Sequence, residues 1–236
     1  MTQSPKLNRS GLILVGIAYL GFIALGIPGT LLNIAWAPEH MQKTFAVPIE
    51  AYGLLSIAGT IGYFIATFTS GRIISRLGIG KMLLISAIVT TIGLIGYAIT
   101  PSWASVIAIA LIMGVGSGLI DGGLNIYFAA HYSPRLMNWL HACFGVGATI
   151  GPWLMTSMIT AGQSWRVGYA IVAGVYVLLT VIFFLTRTWW QTPASAPAPA
   201  TAGPTTAPKQ SRQVLLMPAV WIGVALFFAY GGLEVS

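Results

Sequence analysis

The sequence predicts an all-α integral membrane protein, a bundle of six transmembrane helices followed by the start of a seventh. Three observations predict it. Only 6% of the 236 residues are charged and 56% are hydrophobic, whereas an ordinary soluble domain carries about 25% charge and could not cover its surface with so few polar groups. The apolar residues fall into runs long enough to cross a bilayer, which takes about 20 residues per helix. These runs are continuous rather than alternating, which favours helices over a barrel, because backbone polar groups in lipid must be paired.

The spans follow in chain order. The first covers 11–36, behind a basic start at Lys6 and Arg9. Its apolar stretch is longer than the roughly 7–15 residues of a signal-peptide core, so Ala35-Trp36-Ala37 is read as part of a retained span. The polar segment Pro38 to Pro48 leads to the second span, 51–70, and Gly71 to Lys81 leads to the third, 82–100. Thr100-Pro101-Ser102 precedes the fourth, 103–130; His131 to Leu136 precedes the fifth, 137–160; Gly162 to Ser164 precedes the sixth, 166–187. Thr192 to Gln210 is almost entirely Pro, Ala, Thr, Ser and Gly and reads as an extended or flexible linker. A seventh apolar run begins near 214 and reaches Ser236. The expected organisation is a bundle over 1–187, a linker over 188–212 and the start of a second half over 213–236. Six spans, a linker and a new span is the layout of a transporter built from two six-helix halves. The chain is therefore expected to be the amino-terminal part of a longer protein, with a carboxy-terminal half as its partner.

Charge fixes an expected topology. Alternate loops share a side, and one side holds Lys6, Arg9, Arg72, Arg76, Lys81, Arg135, Arg187, Lys209 and Arg212. The other holds Lys43 and Arg166. The basic side faces the cytoplasm, which places the amino terminus and the linker inside a cell inner (plasma) membrane. The net charge of +7 is then a matter of topology, and no basic cluster interleaved with aromatics points to nucleic acid. Cys143 is the single cysteine, which excludes an intrachain disulfide and reads as a small packing residue.

Several chemistries find no support. There is no phosphate-binding loop ending in Lys-Ser or Lys-Thr, no metal-ligand cluster, and no Ser/His/Asp set among the acids Glu39, Glu50, Asp121 and Glu234. The protein is expected to be neither an enzyme nor a cofactor carrier.

Asp121 is the sole acid in the first six spans. A carboxylate in lipid costs several kcal/mol unless paired, hydrated or protonated, so it marks a functional site by default and suits a group that takes up and releases a proton. Asn125, four residues on, shares its helix face. Counting back equally from a turn centred near Ser133 and Pro134 sets Asn125 level with His141 and Asp121 level with Gly145. One polar patch of Asp121, Asn125, Asn138 and His141 is expected, with Gly145 leaving room beside the carboxyl; the alternative for His141 is a helix-end histidine bonded to a backbone carbonyl. Gly114, Gly118 and Gly122 recur every four residues, as do Gly147 and Gly151, a spacing that lets helices approach closely. Gly151-Pro152 and Pro28 are expected to bend their helices. Trp36, Tyr52, Trp103 and Trp165 fall near outer span ends and read as interface anchors. Trp139, Trp153, Tyr63 and Tyr127 lie deeper, where rings can stack on a sugar face.

Two blocks carry a resemblance. The loop from Gly71 to Lys81 resembles the signature loop of the major facilitator superfamily: Gly71, Arg76, Gly78 and Lys81 match, and Ser75 stands in place of the usual Asp. The runs Gly118-Leu119-Ile120-Asp121-Gly122-Gly123-Leu124-Asn125 and Asn138-Trp139-Leu140-His141, with Gly151-Pro152 after them, are similar to the fucose–proton symporter branch and its sugar-transporting relatives. Trp165-Arg166 and Tyr169 resemble the opening of that branch's sixth span. The fucose symporter also has an acid in its first span, where this chain offers only Asn33. The resemblance implies the amino-terminal half of a twelve-helix fold. It also implies secondary transport of a small polar, sugar-like solute by alternating access, with protons as the candidate coupling ion. Two alternatives stand beside it. Gly147, Gly151 and Pro152 agree in part with the fifth-span motif of exporters of drugs or other amphipathic solutes, and the chain could instead be a non-transporting assembly or sensor module.

Overall fold

Each of the six expected spans is one helix: α1 (Arg9–Ala35), α2 (Tyr52–Leu77), α3 (Ile79–Ile99), α4 (Trp103–His131), α5 (Pro134–Thr160) and α6 (Trp165–Thr186). All six are long and apolar enough to cross a membrane, and the protein is a multi-pass membrane protein. The structure, a computed structural model, describes residues 9–190. The expected linker from 191 onward, the seventh span and Glu234 lie outside the described residues, as does Lys6. The ends of α1 and α6 and the α2–α3 and α4–α5 turns form one face of the bundle, here the near face. The α1–α2, α3–α4 and α5–α6 connections form the far face.

The largest departure from the sequence reading is at Gly71 to Lys81. α2 continues seven residues beyond the expected end, and the break between α2 and α3 is the single residue Gly78. Gly78 has φ 79° and ψ 160°, a backbone region open essentially to glycine alone. One residue therefore turns the chain, and the polar residues taken for a loop are the exposed final turns of α2 and first turn of α3. Apolarity marks where lipid contact ends, not where hydrogen-bonded helix ends.

Packing is crosswise. α1 packs chiefly on α5, α2 on α4, and α3 on α6 and α4, whereas the sequence neighbours α2–α3, α4–α5 and α5–α6 touch little. Exchanging α1, α2 and α3 for α4, α5 and α6 maps the α1–α5 contact onto α4–α2 and returns α3–α6 to itself. This is the internal repeat typical of transporter halves.

Glycines make the two principal contacts. A Cβ at Gly147 would fall on the Ile23 carbonyl oxygen of α1, and one at Gly151 would meet the Ile27 carbonyl oxygen at 2.6 Å. On the other pair, a Cβ at Gly114 would strike the Gly59 carbonyl, and one at Gly118 would lie 2.7 Å from the Tyr63 carbonyl oxygen. Gly122 approaches the Ser70 side chain more loosely, at 3.3 Å. The expected close approach is thus made at all five positions, with backbone as the surface being met at four. α1 and α5 run unbroken through Pro28 and Pro152.

The far face corrects the reading of the tryptophans. Trp36 and Trp165 are only 7% and 3% exposed, because the segment between α1 and α2 folds back over the helix ends. Trp36 lies 5.5 Å from Trp103 and 5.7 Å from Tyr52, and Phe45 sits between Trp103 and Trp165 at 6.1 and 6.0 Å. Their indole nitrogens donate to Ile49 O and Thr44 Oγ1 at 3.2 and 3.1 Å. Arg166 stacks over Trp165 at 4.5 Å and donates to the carbonyls of Tyr97, Ala98 and Thr100, capping the end of α3. Trp36 and Trp165 are internal packing, not lipid-headgroup anchors, whereas Tyr52 and Trp103 are half-buried.

On the near face, Tyr19 donates to Leu136 O at 3.2 Å and Tyr132 donates to Gly11 O at 3.3 Å, tying the α4–α5 turn to α1. Tyr127, expected as a deep ring for a solute, is instead stacked on His131 at 4.3 Å and set against the buried Trp190 at 5.0 Å.

Two predictions follow from backbone geometry. Gly147→Ala should lower thermal stability in detergent by about 1–3 kcal/mol through overpacking, whereas Gly174→Ala, where a Cβ meets nothing within 4 Å, should be neutral or stabilising by up to about 1 kcal/mol. Gly78→Ala should cost about 1–3 kcal/mol from strain at the turn, measured by the same unfolding assay.

Candidate functional site

α2 is apolar overall but carries Tyr52, Ser56, Thr60, Tyr63 and Thr67 at intervals of three or four residues, which is one face of a helix. Together with α1 and α4 it borders a cavity of about 390 Å³, lined by Pro28 and Gly29 of α1, by Ser56, Thr60 and Tyr63 of α2, and by Ser117 of α4. Tyr97 of α3 and Tyr52 complete the polar lining. Tyr52 donates to Asn33 Oδ1 at 2.6 Å, so the one polar residue noted near the outer end of the first span bonds a residue that lines the cavity. The lining is mostly apolar with hydroxyls converging from three helices, the usual character of a small-molecule site. A cavity of this size has room for several water molecules at about 30 Å³ each.

Asp121 lies one turn nearer the near face than Ser117. It is ten residues from the end of α4 at His131, about 15 Å along the axis, which is close to half the hydrocarbon thickness of a bilayer. Both carboxyl oxygens are engaged. Tyr63 donates its hydroxyl to Oδ2 at 2.5 Å, and Asn125 donates its amide to Oδ1 at 2.9 Å. Hydrogen bonds to a charged group contribute about 1.5–3 kcal/mol each, which offsets much of the cost of placing the carboxylate there. Tyr63 both lines the cavity and bonds the acid, so it joins the two.

The expected four-residue patch is met in part. Asp121 and Asn125 come together as reckoned. No hydrogen bond joins them to Asn138 or His141 among the described residues. The reckoning of levels assumed that α4 and α5 face one another, but α4 turns to α2 and α3 while α5 turns to α1. His141 meets Phe22 of α1 edge-on at 5.6 Å, and Asn138 and Gly145 are exposed. Of the signature-loop residues, Gly71 sits inside α2, Arg76 in its last turn, Gly78 in the break and Lys81 in the first turn of α3. Arg76 and Lys81 are exposed on the near face.

Sequence reasoning had named Tyr63 only as a deep ring; its bond to Asp121 comes from the α2–α4 pairing. Ser56, Thr60 and Ser117 were missed. The signal that finds the first two is the polar stripe on α2, whose three- and four-residue spacing lies wholly within the expected second span.

The sequence over residues 15–235 matches the family described as Major Facilitator Superfamily. Among curated proteins, "Protein TsgA homolog" of Yersinia pseudotuberculosis is 26% identical over 175 residues, covering 71% of this chain and 43% of that protein. A protein of the same name from Yersinia enterocolitica aligns with the same identity and coverage. The chain thus spans less than half the length of these relatives. Among solved structures, the peptide transporter POT in complex with alafosfalin superposes with a TM-score of 0.56 at 17% identity, over 96% of this chain and 48% of that one. That likeness is one of fold.

The cavity can be tested directly. In a Cys143→Ala background, Ser56→Cys should react with a small water-soluble thiol reagent in vesicles. Adding Gly29→Trp, which projects into open space, should slow that reaction by about tenfold or more, an effect of roughly 1.4 kcal/mol.

Proposed function

The chain belongs to the major facilitator superfamily, and on that premise we propose that it forms the amino-terminal half of a secondary transporter. In this reading it moves a small polar, sugar-like solute by alternating access, with protons as the coupling ion. The observation that carries the reading is the acid at mid-depth, hydrogen-bonded to a tyrosine that lines the cavity. An intramembrane carboxyl one hydrogen bond away from a cavity-lining hydroxyl is suited to exchange a proton during a cycle. Hydroxyl and aromatic groups around the cavity suit a neutral solute that presents both hydroxyls and an apolar face. Asn138 and His141, on α5, belong to the same proposal through their resemblance to sugar-transporting relatives, as solute or coupling residues on the α1 side.

The near face is assigned to the cytoplasm. It bears Arg72, Arg76, Lys81, Arg135 and Arg187, whereas the far face bears Lys43, which is paired with Glu39 at 3.1 Å, and Arg166, which is spent on the end of α3. The membrane is accordingly a cell inner membrane, and a carboxy-terminal half supplies the opposite wall of the solute path.

A second reading, export of an amphipathic solute, is favoured by the mainly apolar cavity lining. One experiment separates the two. Vesicles carrying the intact protein should accumulate a labelled neutral monosaccharide, L-fucose being the first probe, when a pH gradient is imposed. Asp121→Asn should reduce that uptake by about tenfold or more, as expected from losing a charge-assisted hydrogen bond of about 1.5–3 kcal/mol. Undiminished, proton-dependent uptake in Asp121→Asn would remove the acid from the mechanism, and pH-driven ethidium efflux without sugar uptake would favour export.

A further inference from the structure

The two oxygens of Asp121 have unlike partners. Oδ1 faces the amide nitrogen of Asn125, which only donates, and Oδ2 faces the hydroxyl of Tyr63, which can donate or accept. An ionised carboxyl accepts from both. A proton added to the carboxyl is accommodated at Oδ2 with no side chain displaced, because there the partner reverses its role by turning its hydroxyl alone. The new Oδ2–H then donates to the Tyr63 oxygen, and the hydrogen that Tyr63 had given to Asp121 must point elsewhere. Tyr63 borders the cavity, so the direction open to it is the cavity.

We propose that Tyr63 is a positioning residue that converts the protonation state of Asp121 into the hydrogen-bonding polarity of the cavity wall. With Asp121 ionised, the wall presents the Tyr63 oxygen as an acceptor. With Asp121 protonated, by a proton drawn from water, the wall presents the Tyr63 hydrogen as a donor. Atoms balance: one proton is gained at Oδ2, one hydrogen bond reverses, and the phenol keeps its own hydrogen. A solute offering an acceptor oxygen, such as a hydroxyl or carbonyl group, therefore binds the protonated form better, and by linkage its binding favours proton uptake by the same factor. This rests on the transport reading above and gives it a physical route from proton to solute.

The other titratable groups on helices packed against α4 are differently occupied. Tyr19 of α1 bonds Leu136, and Cys143 of α5 is half-buried. His141 meets Phe22. Lys81 and Tyr97 stand near opposite ends of α3, and Arg72 and Arg76 follow Tyr63 by two turns or more on α2. Within reach of the Tyr63 hydroxyl the competitor is Thr67, one turn on.

The test uses the intact chain in vesicles and needs no solute. The tyrosine Fermi doublet in ultraviolet resonance Raman spectra distinguishes a donating from an accepting phenol. Acidification should shift the doublet from a phenol donating strongly to a carboxylate toward one that also accepts, a change that disappears in both Tyr63→Phe and Asp121→Asn and persists in Thr67→Val, each variant first shown to unfold at the wild-type temperature. A change that survives Tyr63→Phe, or that Thr67→Val abolishes equally, overturns the proposal. The same spectra separate the two readings: a Tyr63-dependent change without sugar uptake refutes transport of that solute alone, and Asp121-dependent uptake without the change refutes the role of Tyr63.

Discussion

Helices in lipid gain nothing from hiding apolar side chains from one another, since the surrounding tails are as apolar as leucine; tight association comes from backbones that can approach closely. In this bundle that approach joins the two most extensive helix pairs, at Gly147 and Gly151 against α1 and at Gly114 and Gly118 against α2, and it recurs where Gly80 of α3 meets the Arg187 backbone after α6. The rest of the architecture depends on them. They couple the helices crosswise into an α1–α5 pair and an α2–α4 pair, and the cavity opens along the seam between the pairs, between α1 on one side and α2 with α4 on the other. A methyl group at any of the four glycines would push backbone away from backbone and change the width of that seam.

The same contact sets the chemistry. Gly118 lies against the Tyr63 backbone, one turn before Asp121, so the register that brings α4 up to α2 also brings the Tyr63 hydroxyl to the carboxyl. Asn125 then takes the second oxygen from within α4 itself. A carboxyl at mid-depth is held with both oxygens bonded, and among the described residues no cation pairs with it. Among the described residues the single salt bridge is the exposed Lys43–Glu39 pair on the far face, where such pairs contribute little.

Much of this was legible from the residues. Six apolar runs became six helices, and the acid with an amide four residues later is a bonded pair. The spaced glycines are contact points between helices. What failed shares one cause, the step from a linear pattern to a packing partner. Trp36 and Trp165 were assigned to the membrane interface because they stand at span ends, but the α1–α2 segment covers them. His141 was set level with Asn125 by arithmetic that is sound along each helix, but α5 is turned toward α1. Gly78 looked like one member of a loop, and only its positive φ shows that it is the entire turn. Periodicity reports which side of a helix differs from the other, and the identity of the neighbour on that side comes from long-range pairing.

That pairing bears on how the chain is made. Helices enter the membrane in the order of synthesis, and neither α1 nor α2 finds its principal partner in the helix that follows it. α2 waits until α4 has been made, and α1 until α5. During that interval Gly26 and Gly62, later sealed against α5 and α4, face lipid or the insertion machinery. The first three helices are therefore an unfinished assembly held in reserve: the α4–α5 hairpin gives α1 and α2 their partners, Tyr19 and Tyr132 fasten its turn to α1, and α6 completes the bundle against α3.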